Sequence, residues 1–137
     1  MEYKTDKAIY LQIADYICNQ IIQNKWQEDE RIPSVRELAI LLSVNPNTVW
    51  RSFETVEHQG IIYNKRGMGY FVSDDAKQKI LEIYKKEFFE DILPEVFNKM
   101  ELYGIKIEEI NDAYLKLRIK NCLNHGLNRL NDCTDVM

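Results

Sequence analysis

Two helix starts a dozen residues apart set the tightest limit on what this chain can fold into. Ser34-Val35-Arg36-Glu37 has the spacing of a capping box, in which serine caps the helix N-terminus and a glutamate three residues on reaches back to it. Asn45-Pro46 is a second start, with asparagine at the N-cap and proline at the first helical position, where a missing N–H costs nothing. Val35, Leu38, Ala39 and Leu42 supply the apolar face of the first helix, so "SVNP" must be a tight turn between the two. The second helix runs from Pro46 to about Gln59, and Gly60 suits the left-handed position after its end.

The flanks complete a pattern. Ile9, Ile13, Ile17 and Ile21, with Tyr10 and Ala14, recur at helical spacing and predict an amphipathic helix over residues 8–24. "NKWQEDERIP" then reads as a loop. After Gly60, the β-prone runs Ile61–Tyr63 and Tyr70–Val72 flank Asn64-Lys65-Arg66-Gly67-Met68-Gly69, a hairpin signal with two glycines in its connection. Helix, helix, tight turn, helix and hairpin is the order of a winged helix-turn-helix, whose third helix enters the DNA major groove.

From Asp74 on, helix formers dominate. Ile80, Leu81, Tyr84, Phe88, Leu93, Val96, Phe97, Met100 and Tyr103 form a broad apolar stripe that Pro94 should kink or break near Leu93. Gly104 ends that segment, and a further helix over 107–123 is expected to turn Ile110, Tyr114 and Leu117 inward. The expected organisation is a winged helix-turn-helix domain over 1–73, an all-α dimerisation segment over 74–124 and a frayed tail over 125–137. The fold class is therefore mainly α with a small β wing.

Composition excludes several classes. Among 137 residues, 45% hydrophobic and 29% charged are the proportions of a soluble globular protein. No run reaches the length of a membrane span, and "MEYKTDKAIYLQ" lacks an apolar signal core, which points to the cytoplasm. Cys18, Cys122 and Cys133 have no framework spacing and suit reduced thiols. Cys122-x-x-His125 with Cys133 lacks a ligand for a metal site, so neither metal nor cofactor is expected. Catalysis is not expected either: His58 and His125 have no nucleophile at a recognisable spacing, and Gly67-x-Gly69 is not a phosphate-binding loop.

The net charge of −4 does not by itself favour nucleic acid. The first 73 residues hold eight Lys/Arg against nine Asp/Glu, but Arg31, Arg36, Arg51, Lys65 and Arg66 are grouped on the loop, the second helix, the third helix and the hairpin tip. On a helical wheel Val49, Phe53 and Val56 share the core face. Asn47, Arg51 and His58 lie opposite, with Thr48 at the edge. Asparagine can pair with adenine, arginine with guanine, and threonine with a phosphate or the thymine methyl. Trp50, a quarter-turn from the core face, can pack on a neighbouring helix or lie on DNA, with packing favoured. Glu54 and Glu57 would repel phosphates and confine contact to the front of the helix.

"IYLQIADYICNQII", "RIPSVRELAILLSVNPNTV", "E-x-x-E-H-Q-G-I-I" and "KRGMGYFV" together resemble the N-terminal domain of the GntR family of bacterial transcription regulators over residues 8–73. "VNPNTV" is similar to the YtrA-like subfamily, which dimerises through a small C-terminal helical pair. The resemblance implies a homodimer on a two-fold symmetric double-stranded DNA operator, usually a repressor and often near transporter genes. It assigns DNA contact to Ser34, Arg36, Asn45, Asn47, Thr48, Arg51, Lys65, Arg66 and Gly67, and Trp50 is counted with them from its place on the helix. Pro46 and Trp50 stand where several GntR regulators carry DNA-touching arginines, leaving Arg51 as the recognition helix's own arginine. Dimer contact is expected from Leu81, Tyr84, Phe88, Val96, Phe97, Met100 and Tyr114. Two other readings use the same residues: a winged-helix protein-interaction module, and a metabolite sensor with a small-molecule effector at the dimer interface.

Overall fold

The computed structural model describes residues 7–125. The sequence expectations for the first six residues, for Cys133 and for the tail beyond His125 lie outside them. The elements are α1 (Ile9–Ile22), α2 (Val35–Leu42), α3 (Pro46–His58), β1 (Ile62–Lys65), β2 (Gly69–Val72), α4 (Ala76–Glu87), a π-helical turn (Phe88–Ile92), α5 (Leu93–Tyr103) and α6 (Ile107–His125). The winged helix-turn-helix order and the mainly helical class are thus observed.

The chain divides into two compact units between Glu87 and Phe88. In the first, Ile13, Ile17 and Ile21 from α1 meet Leu38 and Ala39 from α2, and Val49, Phe53 and Val56 from α3. Each of the three α3 side chains is fully buried, worth about 1.5–3 kcal/mol apiece relative to exposure. Phe53 packs edge-to-face on Tyr70 of the hairpin at 4.9 Å between centroids, which joins the third helix to the wing. The strands pair antiparallel with Ile62 opposite Val72 and Lys65 opposite Gly69.

Three features correct the sequence reading. The loop before α2 contributes a strand-like edge: Asp29 and Ile32 donate backbone N–H groups to the carbonyls of Val72 and Tyr70, and Arg31 bridges Phe71. β2 is therefore paired on both sides. The first unit also runs past the expected boundary at Ser73, because Ala76 and Ile80 of α4 are buried in the same core and Ile83 and Tyr84 pack on it. Tyr84, expected at a dimer interface, instead donates its hydroxyl to Asp15 at 3.0 Å, and Asp15 is ion-paired with Lys7. Burial raises the Tyr84 hydroxyl pKa and, as the largest of several influences, pushes the neighbouring Cys18 thiol up to about 11. Cys18 is a free, buried thiol.

In the second unit the helical backbone is distorted near Pro94 rather than interrupted. A π-helical turn over Phe88–Ile92 leads directly into α5, with Pro94 in the first turn of α5. Gly104, at φ +69°, ends α5. Ile110, Tyr114 and Leu117 are exposed rather than inward.

If α4 belongs to the first unit energetically, Ile80→Ala should destabilise that unit by about 2–4 kcal/mol, by lost transfer energy and a residual cavity. Leu81→Ala, at a 40% exposed neighbour, should change little. Urea unfolding followed by Trp26 and Trp50 fluorescence measures both.

Candidate nucleic-acid interface

The front of α3 is built by its cap. Asn45 sits in extended backbone and its Oδ1 accepts from the Asn47 N–H at 2.8 Å, while Pro46 occupies the first turn. That assigns the Asn45 side chain to capping. Asn45, Pro46 and Asn47 are exposed, and Thr48 is half-buried. Trp50 is 51% exposed, which overturns the packing preferred from the wheel: it projects from the same end of the helix as Asn47.

Arg51 is exposed, and its guanidinium carbon lies 3.9 Å from the centroid of the Tyr10 ring on α1. One residue on, Ser52 is fully buried, and its Oγ donates toward the Tyr10 carbonyl at 2.7 Å, with the Thr48 carbonyl at 3.0 Å. The recognition helix is thereby fastened to the start of α1 beside its arginine. The sequence reading passed over Ser52 and placed Tyr10 only in the pattern of the first helix. A small polar residue three positions after Val49, inside the apolar stripe, was the available signal for Ser52; periodicity gave none for the ring under Arg51.

At α2 the capping box is complete. Ser34 Oγ accepts from the Glu37 N–H at 3.1 Å, and the Ser34 N–H donates to Glu37 Oε1 at 3.0 Å. These hydrogen bonds, with Arg31 nearby, lower the Glu37 pKa from its ordinary value. The Ser34 side chain is therefore engaged in the cap, whereas Arg36 is exposed on the first turn.

The wing tip carries Lys65, Arg66 and Gly67, all exposed, with Gly67 at φ +79°. Lys65, exposed at the tip, lies over the Phe71 ring of the hairpin's aromatic pair at 4.7 Å. Arg31, counted with the basic face, has a second task. Its Nε donates to the Met68 carbonyl at 3.0 Å, its side chain covers Gly69, and Nη2 lies 3.8 Å from Glu37. A Cβ on Gly69 would meet Arg31 Nε at 3.2 Å, and the backbone there has φ +106°. The structure thus brings exposed basic and amide groups to the α3 front, the α2 start and the wing tip. Among the described residues no cluster of His, Cys, Asp or Glu could hold a metal ion, and no helix is long and apolar enough to cross a membrane.

A helix-turn-helix with a hairpin wing and a polar, arginine-bearing third helix defines a DNA-binding regulator class, and comparison with known proteins agrees. Residues 9–72 match the model for bacterial regulatory proteins of the gntR family. The chain is 34% identical over 109 residues to the uncharacterized HTH-type transcriptional regulator YhcF of Bacillus subtilis, covering 80% of this chain and 88% of that one. It is 28% identical to the HTH-type transcriptional repressor YtrA of the same organism, covering 80% and 83%. Among solved structures, a putative GntR-family transcriptional regulator from Bacteroides thetaiotaomicron superposes with a TM-score of 0.74 at 43% identity, covering 84% of this chain and all of that one. The chain belongs to the GntR family of bacterial regulatory proteins, and the relatives it matches are named as transcriptional regulators.

The lowered Glu37 pKa has a defined sign. A carboxylate that titrates lower when folded contributes stability fully above its ordinary value of 4.5 and loses it as pH falls through the lower, folded value. The stability advantage of the wild type over Glu37→Gln should be complete near pH ~6 and shrink in acid. Denaturation midpoints of both proteins across that range check it.

Proposed function

We propose that the protein is a homodimeric, sequence-specific repressor that binds double-stranded DNA in the cytoplasm, with the front of α3 in the major groove and the wing on the flanking backbone or minor groove. The observation that carries this reading is the exposed set Asn47, Trp50 and Arg51 on a helix whose opposite face is wholly buried. Such a helix offers its first two turns to base edges. Arg51 reads a base, Asn47 and Thr48 serve the same surface, and Trp50 lies on the DNA. Arg36, Arg66 and Lys65 neutralise phosphates, with Gly67 letting the tip approach closely. Asn45 and Ser34 contribute by holding their helix starts, with free N–H groups nearby facing phosphate.

Dimerisation fits the second unit. Phe88, Val96, Phe97 and Tyr114 are all more than a third exposed in the single chain, along with Phe89, Ile92 and Leu117. So many large apolar side chains on a short helical segment call for a cover, and a second copy of the same segment supplies one. Met100, half-buried, is assigned to the same interface, and Leu81, exposed on α4, lies at its edge in sequence. A two-fold dimer would read a two-fold symmetric operator, with half-sites about one helical turn apart. The repressor name of the B. subtilis relative YtrA supports the direction of regulation, and the family resemblance supports targets near transporter genes.

Titration onto DNA upstream of the protein's own gene, or onto sequences selected from a random pool, tests the reading. Arg51→Ala should weaken specific binding by about 1–3 kcal/mol and relax preference at one position. Arg66→Ala should weaken all sequences alike and reduce the salt dependence. Failure to select any sequence would favour a protein-interaction module instead. For the dimer, Phe97→Glu should convert the species seen in sedimentation equilibrium from dimer to monomer and cost operator affinity while leaving the first unit folded.

A further inference from the structure

Arg51 is the recognition helix's own arginine, and its surroundings are unusual for a surface cation. Glu54 and Glu57 lie three and six residues further along the same helix, yet among the described residues Arg51 forms no ion pair. Its guanidinium rests instead on the face of Tyr10, 3.9 Å from the ring centroid. A ring face attracts a cation without neutralising it and, for a planar guanidinium, limits the orientations of the group. Arginine reads guanine through two parallel N–H groups, so a fork that wanders between rotamers loses both affinity and discrimination.

Tyr10 is itself held in place. It stands in the first turn of α1, and its backbone carbonyl receives the buried Ser52 hydroxyl at 2.7 Å. Arg51 and Ser52 are adjacent on α3, so the ring and the guanidinium it supports are fixed to one another through a backbone bond that does not involve the Tyr10 side chain. Tyr10 is half-buried.

From this arrangement we infer that Tyr10, on the first helix, is a specificity-determining positioning residue: its ring holds the Arg51 guanidinium in the orientation from which it reads a base. The inference rests on the DNA-binding reading above and assigns a role to a residue outside the helix-turn-helix. Pre-ordering the fork lowers the entropy lost on binding, and that gain is realised where the fork meets its base, so the effect falls on preference more than on general affinity.

The test uses the full chain and the DNA sequence that the wild type selects from a random pool, with each base pair changed in turn. Tyr10→Leu should reduce the preference about fivefold at the position where Arg51→Ala reduces it, with smaller changes elsewhere. Tyr10→Phe, which keeps the ring, should restore the wild-type preference within about twofold. In an Arg51→Ala background Tyr10→Leu should have no further effect, which a purely structural role would not produce. Thermal unfolding confirms that the variants are folded, and Tyr10→Met replaces Tyr10→Leu if the latter is not. Unchanged preference in Tyr10→Leu, or an equal loss in the presence and absence of Arg51, would overturn the inference while the DNA-binding reading stands. A wild type that selects no sequence would overturn both.

Discussion

Burial of one face of α3 is the constraint on which the rest of the first unit depends. Val49, Phe53 and Val56 leave no freedom to rotate the helix about its axis: any rotation that brings Arg51 toward the core takes Phe53 out of it. The same Phe53 sets the wing through its edge contact with Tyr70. A single aromatic side chain thus relates the two surfaces that would touch DNA, the helix front and the hairpin. Its loss would be felt as a change in their spacing as well as in stability. Apart from Ser52, buried within this face, polar chemistry lies at the ends of the assembly, where each cap satisfies one of the free N–H groups of α2 and of α3.

Local signals were legible in the chain. Ser34–Glu37 and Asn45–Pro46 cap the helices that their spacing announced, Gly60 takes up φ +78° after α3, and the glycine-bearing connection is the hairpin turn. Each depends on neighbours within four residues, which is the range over which sequence pattern and backbone geometry determine one another. The order of these elements sufficed for the fold class and for the family.

What could not be read depends on distant partners. Asp29–Ile32 looks like loop because its pairing edge is β2, some forty residues away, and polar side chains do not advertise backbone pairing. Tyr84 carries the spacing of an apolar stripe shared by α4 and α5, and nothing local distinguishes a residue that packs on α1 from one that awaits a second chain. Trp50 was misplaced because a wheel gives an angle and not a depth: a quarter-turn from the core face is already open to solvent at the front of a short helix. The inward face expected of α6 failed for a related reason, since a stripe can be apolar without its cover lying in the same chain.

The Arg31 clamp has a consequence for how such proteins can diverge. It grips only backbone at the hairpin tip, through the Met68 carbonyl and the surface of Gly69. The side chains of Arg66 and Met68 project outward, and Gly67 has open space around the position of a Cβ. The shape of the tip is therefore maintained by one residue in another segment, while the chemistry it displays is left unconstrained by the fold. Among descendants of this sequence, substitutions at 66 and 68 could accumulate and retune target choice without a folding penalty, whereas Arg31 and Gly69 would have to change together.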